Sequence, residues 1–410
     1  MGSGSQVIVV GGGPAGLICA GACAQRGRQV VVLERMERPA RKLGITGKGR
    51  CNLTNNCDRD ALLAAVRTNG RFLYSAVSAF SAQDTIQFFE NLGVPLKTER
   101  GGRVFPVSDK AGQVVQALIG YAKNSGAQIL RERASELLIE DGAVAGVKCH
   151  SGRVYTGRSV VVATGGMSYP LTGSTGDGYE LAGQAGHEII PPKASLVPIV
   201  TRERWPAQTM GLSLKNVALT LAKKDGGRAV FQEQGEMLFT HFGVSGPLVL
   251  SATAHIKGQP GDYALSIDLK PALSPQQLDA RILRDFSQQS NRDFANSLGA
   301  LLPKKLIGPM IGLSGILPSA KVNQITKQER ARLAGLIKNL PLQIKELRPI
   351  EEAVITCGGV CVKQVNPATM ESKLTRGLYL AGEVLDLDAY TGGFNLQIAF
   401  STGVLAGKHA

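Results

Sequence analysis

Three glycines, Gly11, Gly13 and Gly16, follow the apolar residues Val7, Ile8, Val9 and Val10, and an acid, Glu34, stands 18 positions beyond the last of them. With Pro14 and Ala15 they form a turn suited to holding a pyrophosphate. Gly11 permits a tight strand-to-helix turn, Gly13 lets phosphate oxygens approach the backbone, and Gly16 lets the helix pack against the strand. The helix N-terminus then presents free N–H groups to the anion. Residues 28–34 read as a second parallel strand ending in Glu34, which can accept both ribose hydroxyl protons, with Arg35 beside it. Strand, turn, helix, strand and acid together predict a dinucleotide site.

The other end of the chain selects the dinucleotide. Residues 377–386 have the form of the late strand that carries an acid to the flavin side of FAD in flavoproteins with two dinucleotide-binding domains. Gly382 marks its turn, and Glu383 or Asp386 could be that acid. A third apolar strand, residues 159–162, leads into Ala163, Thr164, Gly165 and Gly166. A cofactor touched near residues 11, 165 and 382 needs a domain assembled from distant sequence, which resembles FAD binding and not NAD binding. No second strand-Gly-x-Gly-x-x-Gly unit is present, so NADH or NADPH, as electron donor, would bind transiently against the flavin.

Other residues are suited to chemistry beside the flavin. Lys42 and the run Gly47, Lys48, Gly49, Arg50, Cys51, Asn52 follow the second strand and can carry backbone and charge toward the ring. Lys48 or Arg50 at the pyrimidine edge would stabilise negative charge there. Gly393, Phe394, Asn395, Leu396 and Gln397 read as a loop entering a helix whose dipole favours the same charge, with Phe394 and Asn395 lining the ring and Leu396 turned to the core. The glycine-rich residues 169–178 either approach FAD or shape a turn. A proton donor is expected among Cys51, His241, Cys357 and Cys361; each also has a structural reading, as a packed thiol or as part of a strand-to-helix turn at Gly243, Gly246 and Pro247.

Three runs are similar to the signatures of one bacterial flavoprotein family: residues 41–55 (Arg-Lys-Leu-Gly-Ile-Thr-Gly-Lys-Gly-Arg-Cys-Asn-Leu-Thr-Asn), residues 240–247 (Thr-His-Phe-Gly-Val-Ser-Gly-Pro) and residues 392–397 (Gly-Gly-Phe-Asn-Leu-Gln). Members of that family are variously named 3-dehydro-bile-acid reductase, aminoacetone oxidase and ribosomal-RNA dihydrouridine synthase. The resemblance covers nearly all of the chain, with the motifs in the family's order. It implies an FAD-dependent oxidoreductase and leaves the substrate open.

The elements that must position these residues belong to an α/β chain of 410 residues, 43% hydrophobic, with no run of 18 apolar residues that could form a membrane span. Residues 1–5 read as a flexible leader, no secretory segment is visible, and a cytoplasmic enzyme is expected. Seven cysteines without paired C-x-x-C spacing and five dispersed histidines argue against a disulfide framework and against a metal site. Cys19 and Cys23 read as core packing on the first helix.

The expected organisation is a discontinuous, glutathione-reductase-like Rossmann domain that binds FAD, over residues 1–193 and 350–410. A β-barrel is inserted at 194–270 and a basic helical subdomain at 271–349. Ser81 and Asp84 start an amphipathic helix through Phe88, Phe89 and Leu92, and turns at Asp141-Gly142 and Ser151-Gly152 mark a meander of hairpins. Helices are expected at 276–286, 291–301 and 327–339.

The formal net charge is +14, and residues 270–349 hold 13 Lys or Arg against 5 Asp or Glu, a surplus of +8 in a fifth of the chain. Such a field attracts polyanions, although it also serves as a plain solvated surface. Three functions follow. One is reduction of the C5–C6 double bond of an unstacked uridine in 23S ribosomal RNA, held by the basic insert. Another is small-molecule chemistry in an apolar pocket, reduction of a steroid or bile-acid enone or oxidation of an amine. The third is a flavin-bearing RNA-associated protein without turnover. Aromatic residues number only 21, and no stacking platform for single-stranded RNA is legible.

Overall fold

Gln6–Val10 and Gln29–Glu34 are strands because runs of β-branched side chains, Val7–Val10 and Val30–Val32, form their middles, and both are central strands buried on two faces. The computed structural model describes residues 6–410, so the leader expected at residues 1–5 lies outside the described residues. Leu378–Leu380, Ser159–Val162, Gln6–Val10, Gln29–Glu34 and Gln128–Arg131 form, in that order, an all-parallel five-stranded sheet. Val7 lies level with Ser159 and Val30, and Val160 with Leu378, so the sheet brings both ends of the chain to one edge-to-edge register. This is the Rossmann-like FAD-binding fold that the glycine pattern implies.

Two helices pack beside that sheet, Pro14–Gln25 and Phe394–His409, one from each end of the chain. Their approach is limited by small residues. A Cβ on Gly403 would lie 2.5 Å from the Ala15 carbonyl oxygen and 2.7 Å from Ile18 Cγ2. Cys23 donates to the Gly407 carbonyl at 3.5 Å, and Arg26 Nη1 donates to the carbonyls of Gly407 and Ala410 at 3.0 and 3.1 Å. Cys19 and Cys23 are thus packing thiols, as their surroundings in sequence suggest.

Ala82–Asn91 starts at a capping box in which Ser81 and Asp84 satisfy each other's backbone N–H groups. Its Phe89 packs edge-on against Phe400 of the last helix at 5.4 Å. The meander is Ala134–Glu140, Ala143–Cys149 and Val154–Thr156, with Asp141 and Gly142 both at positive φ in the first turn. This unit consists of the chain up to Ser195 together with Ile350–Ala410.

Leu196–Pro349 is a second compact unit. Its centre is a closed barrel in the order Ile199–Thr201, Gly243–Ser245, Ala229–Phe239, Ser213–Lys223, Tyr263–Asp268, Leu340–Leu347. Inward residues alternate as the pleat requires, with Leu219, Leu221, Leu265, Ile267, Leu342 and Ile344 all buried. The stretch 271–349, expected to be a basic helical subdomain, ends in the strand Leu340–Leu347, which closes the barrel against Ile199–Thr201. Its helices share one core with the barrel through Leu278, Ile282, Leu306, Met310, Leu333 and Ile337.

Pro275–Ser287 and Lys327–Lys338 lie where the periodicity places them, each started by a capping box. The helix expected at 291–301 is instead a single short turn, Phe294–Asn296, and the helix follows at Lys304–Ser314. The reason is local. Pro303 fixes the entry to a helix, whereas Asn291, Asn296 and Gly299 favour turns.

Candidate cofactor cleft and active site

The glycine turn has the geometry that a bound pyrophosphate needs. Gly11 has φ +106°, and a Cβ there would lie 2.5 Å from the Ala163 carbonyl oxygen and 3.0 Å from Thr164 Cα, so only glycine lets the first and third strand ends meet. Gly13 differs, because a Cβ on it would meet no protein atom within 4 Å. No neighbour in the chain requires glycine there, so the space beside this backbone is open. Gly13 also caps Pro14–Gln25 without any side-chain acceptor, and Gly393 caps Phe394–His409 in the same way. Two helix N-termini therefore offer N–H groups uncompensated by the protein.

At the third strand end, Thr164 Oγ1 is buried against Gly178 without a hydrogen-bond partner among the described residues, and Gly165 follows with positive φ. Gly382 closes the same crevice, since its Cβ would lie 2.9 Å from Ala15 Cβ and its N–H donates to Thr402 Oγ1 at 2.9 Å. Gly16 packs on the Gly11 carbonyl. The residues expected at 11–16, 164–166 and 382 are thus one constellation, and a dinucleotide fits it.

Glu34 ends the second strand, 8% exposed. Its Oε2 accepts from the Gly12 N–H at 2.8 Å and its Oε1 from the Met36 N–H at 2.7 Å. Burial raises its pKa, and the two N–H groups act against that rise. Each oxygen retains a lone pair, so the carboxylate can still receive ribose hydroxyls. Arg35 instead turns to Asp177, at 3.1 Å, and to Thr175, and Arg133 joins the same carboxylate at 2.9 Å.

Lys42 pairs with Glu383 at 2.7 Å and donates to Ser168 Oγ at 2.6 Å. The other oxygen of Glu383 accepts from the Thr356 N–H at 2.9 Å and from Ser168 at 3.2 Å, and a Cβ on Gly166 would lie 2.9 Å from it. Glu383 is therefore the hub of a network joining residues 42, 166, 168 and 356. Asp386 lies elsewhere, held by Asn69 Nδ2 at 3.0 Å, its pKa raised by burial.

Several residues expected to touch the flavin have partners within the protein. Arg50 is paired with Asp109 at 2.6 Å and with Glu99, and its guanidinium lies 4.1 Å over the Phe105 ring, so its charge is already matched. Gly47 and Lys48 take left-handed conformations where the helix Arg41–Gly49 breaks, and Gly49 follows with φ +82°. With its amide nitrogen toward the carbonyls of Thr54 and Val104, Asn52 accepts from the Gly393 N–H at 3.1 Å, tying the two signature loops together. Asn395 both accepts from and donates to the backbone of Ala389, at 2.9 and 2.8 Å. Gln397 is fully buried between Thr54, Phe80, Ser81 and Ser401. Phe394 and Leu396 pack on the core, with the Phe394 ring 3.1 Å from where a Gly392 Cβ would sit. These side chains fix the entry to the helix Phe394–His409.

The expected proton donors are equally distinct. Cys51 has φ +61° and no exposed surface, and burial pushes its thiol up to about 12. Cys357 is half-buried, and burial followed by the nearby Asp388 charge pushes it up to about 11. Its Sγ lies 3.8 Å from Thr68 Oγ1, and Thr68 donates its own proton to Asp388 Oδ1 at 2.5 Å, so the thiol is the donor to Thr68. Ser195 Oγ donates to the other Asp388 oxygen at 2.8 Å. Cys361 is buried where the returning chain leaves its strand. His241 belongs to the barrel unit, exposed, with its ring edge-on to Phe242 at 4.9 Å.

Ser168, Thr356, Thr68, Asp388 and Ser195 were not expected from sequence. Only Asp388, two positions beyond Asp386 on the returning segment, carried a usable signal.

The whole length matches one family, described as HI0933-like protein Rossmann domain, over residues 5–409. The chain belongs to this family. It is 30% identical over 397 residues to the ribosomal RNA dihydrouridine synthase of Escherichia coli (strain K12), covering 97% of this chain and 96% of that one. It is likewise 30% identical over 416 residues to the 3-dehydro-bile acid delta(4,6)-reductase of Clostridium scindens (strain ATCC 35704 / DSM 5676 / VPI 13733 / 19), covering 99% of each. Among solved structures, a 3-ketosteroid delta1-dehydrogenase from Sterolibacterium denitrificans superposes with TM-score 0.53 at 13% identity, covering 99% of each chain, which shows the shared fold. The protein is an FAD-dependent oxidoreductase of the HI0933-like family. Among the described residues, no helix is long and apolar enough to cross a membrane.

FAD, when bound, supplies two-electron chemistry as a hydride donor or acceptor. The chain's own part would be to bind and orient it: the Gly11–Gly16 turn would hold the pyrophosphate, Glu34 the ribose, and the N-terminus of Phe394–His409 would favour negative charge on the ring.

Proposed function

We propose that this enzyme reduces a carbon–carbon double bond conjugated to a carbonyl, that its substrate is a uridine of 23S ribosomal RNA, and that NADH or NADPH provides the electrons in the cytoplasm. The observation that carries the substrate is the +8 surplus of residues 270–349, most of it on exposed lysines and arginines of the second unit. A small neutral substrate has no use for such a field, whereas a polyanion gains affinity from it by counterion release. Relatives at 30% and 32% identity, from Escherichia coli and Haemophilus influenzae, carry the name ribosomal RNA dihydrouridine synthase. The C5–C6 bond of uracil is conjugated to its C4 carbonyl, so hydride adds at C6 and a proton at C5.

Cys357 is the side chain best suited to give that proton. It is half-buried and therefore reachable, it stays protonated at neutral pH, and Thr68 and Asp388 fix it. Cys51 is sealed in the core. The decisive experiment is deletion of the gene followed by mapping of dihydrouridine in ribosomal RNA, with complementation by the wild-type and Gly13→Val genes. A strain that keeps every dihydrouridine would sink the reading.

A second reading has its own support in the bile-acid reductase relative, at 30% identity over nearly the full length. The steroid dienone is conjugated in the same manner, so the same donor and acid would serve. Rapid flavin reoxidation by steroid enones, indifferent to RNA, would select it.

A further inference from the structure

The barrel unit contains a cleft of about 210 Å³ that none of the chemistry above uses. It lies between the start of the strand Ser213–Lys223, the residues Leu269 and Lys270 just past the strand Tyr263–Asp268, and the Leu302–Pro303 turn. Leu214, Val217, Leu269 and Leu302 supply an apolar floor, all four buried. Lys215, Asn216 and Lys270 form the rim.

The rim is built by a β-bulge. Leu214 pairs with Met237 and Val217 with Gly235, so the strand carries one extra residue between them, and Lys215 and Asn216 are both exposed there. Neither Lys215 nor Lys270 has a carboxylate partner among the described residues, whereas neighbouring Lys338 is paired with Asp268 at 2.5 Å. Two further cations adjoin the cleft. Lys304 and Lys305 occupy the first turn of Lys304–Ser314, which holds no acid, and this is the end of a helix where cations are disfavoured. Lys305 Nζ reaches back to the Met210 carbonyl at 2.9 Å, just ahead of the bulged strand. Lys215 and Lys270 on the rim, with Lys304 and Lys305 next to it at a helix start that disfavours cations, above an apolar floor, fit a ligand that is anionic on one side and flat and apolar on the other.

We infer that this cleft binds one nucleotide of single-stranded RNA, its base on the Leu214–Leu302 floor and its flanking phosphates on Lys215, Lys270 and Lys304. This rests on the reading of RNA as the substrate class. The volume suits one base and not a helix, and the floor replaces the aromatic stacking platform that the sequence lacks. The site anchors the strand by shape and charge while another nucleotide is presented for reduction.

The test measures binding of a fluorescent single-stranded oligouridylate to the FAD-loaded enzyme across a range of salt concentrations. Lys215→Gln/Lys270→Gln, Ser213→Trp and the distant control Lys123→Gln are compared with wild type, and thermal melting confirms the fold of each. Each phosphate contact removed flattens the slope of log K against log salt by about 0.7 for a single strand, so the double variant loses about 1.4. Ser213→Trp, which covers the mouth, weakens binding without changing that slope, and the control matches wild type. Equal slopes for wild type and the double variant overturn the inference. So does a double variant that binds RNA normally but needs more NADPH for flavin reduction, which would make the cleft a donor site. Its failure is separable from failure of the functional reading. An enzyme that forms dihydrouridine with the double variant unimpaired loses only the cleft, and one that binds RNA through these lysines without reducing it loses only the reaction.

Discussion

Lys42 and Glu383, 341 residues apart in sequence, form an ion pair at 2.7 Å that joins the segment after the second strand to the one after the last strand. The pair is mostly buried, with 20% and 15% of the side chains exposed, and Ser168 and Thr356 complete the hydrogen bonding of Glu383. The two ends of the chain meet here, so this bond is a clasp between them.

Glu383→Gln leaves Lys42 charged and only partly solvated. Removing one partner of a fully buried pair costs about 3–5 kcal/mol; with the remaining exposure here, the expected loss is about 1–3 kcal/mol. The variant should melt earlier and release FAD more readily. Lys42→Met/Glu383→Leu should recover part of the stability, because it removes both charges. Calorimetry and the flavin absorbance retained after gel filtration read the two effects.

Gly13 and Gly403 separate cofactor binding from folding. At Gly13, φ is −81° and no atom lies near the missing Cβ, so Gly13→Ala should fold with wild-type stability yet bind FAD at least about 10-fold more weakly, by intruding where phosphate oxygens approach. Gly403→Ala drives a methyl into the Ala15 carbonyl and Ile18, with an expected loss of about 1–3 kcal/mol. Apoprotein melting and flavin titration should therefore change independently. Equal stability losses in the two variants would contradict the assignment of Gly13 to the cofactor.

Cys357 and Cys51 should differ in kinetics. If Cys357 gives the proton, Cys357→Ala lowers turnover by about 10²–10⁴-fold. The wild-type profile should then stay flat on its basic side until pH approaches the thiol value of about 11. Cys51→Ala should turn over normally while losing about 1–3 kcal/mol to the cavity left in the core. Single-turnover reoxidation of pre-reduced enzyme isolates the step from electron supply.

The parallel sheet and its glycine turn were legible because each strand is a short apolar run and each turn needs a residue type that little else demands. Ser81 and Asp84 marked one helix for the same reason, whereas the capping boxes at Ser274 and Thr326 emerge from the structure. The closing barrel strand Leu340–Leu347 was hidden by the helices before it, and its partner Ile199–Thr201 lies some 140 residues away in sequence. At the site, residue type indicated location better than role. Asn52 lies just past the broken helix Arg41–Gly49 and Asn395 and Gln397 in the first turn of Phe394–His409, but their amides are spent on groups that only the folded chain brings near. Ser168, Thr356 and Asp388 had no motif of their own, because hydrogen-bond partners recruited from distant segments leave no local spacing to read.

His187 gives the fold a pH dependence of defined sign. Ser372 Oγ accepts N–H bonds from Leu374 and Thr375, both at 3.0 Å, so its proton goes to His187 Nε2 at 2.8 Å. The imidazole is therefore neutral, protonated on Nδ1, which is buried without a partner. Burial lowers its pKa below the usual histidine value. The unfolded chain then binds the proton more readily than the folded one, so this contribution is complete above about pH 6.5 and is lost as pH falls toward the lower folded value. The slope cannot exceed one proton, about 1.4 kcal/mol per pH unit. Glu34 and Asp386, raised by burial, act in the opposite direction at lower pH, since the folded chain holds their protons more tightly. The clean measurement is the difference between wild type and His187→Gln in urea unfolding from pH 7.5 to 5. The wild type should lose stability faster than the variant below about pH 6.5, and parallel curves would show that folding leaves the His187 pKa unchanged.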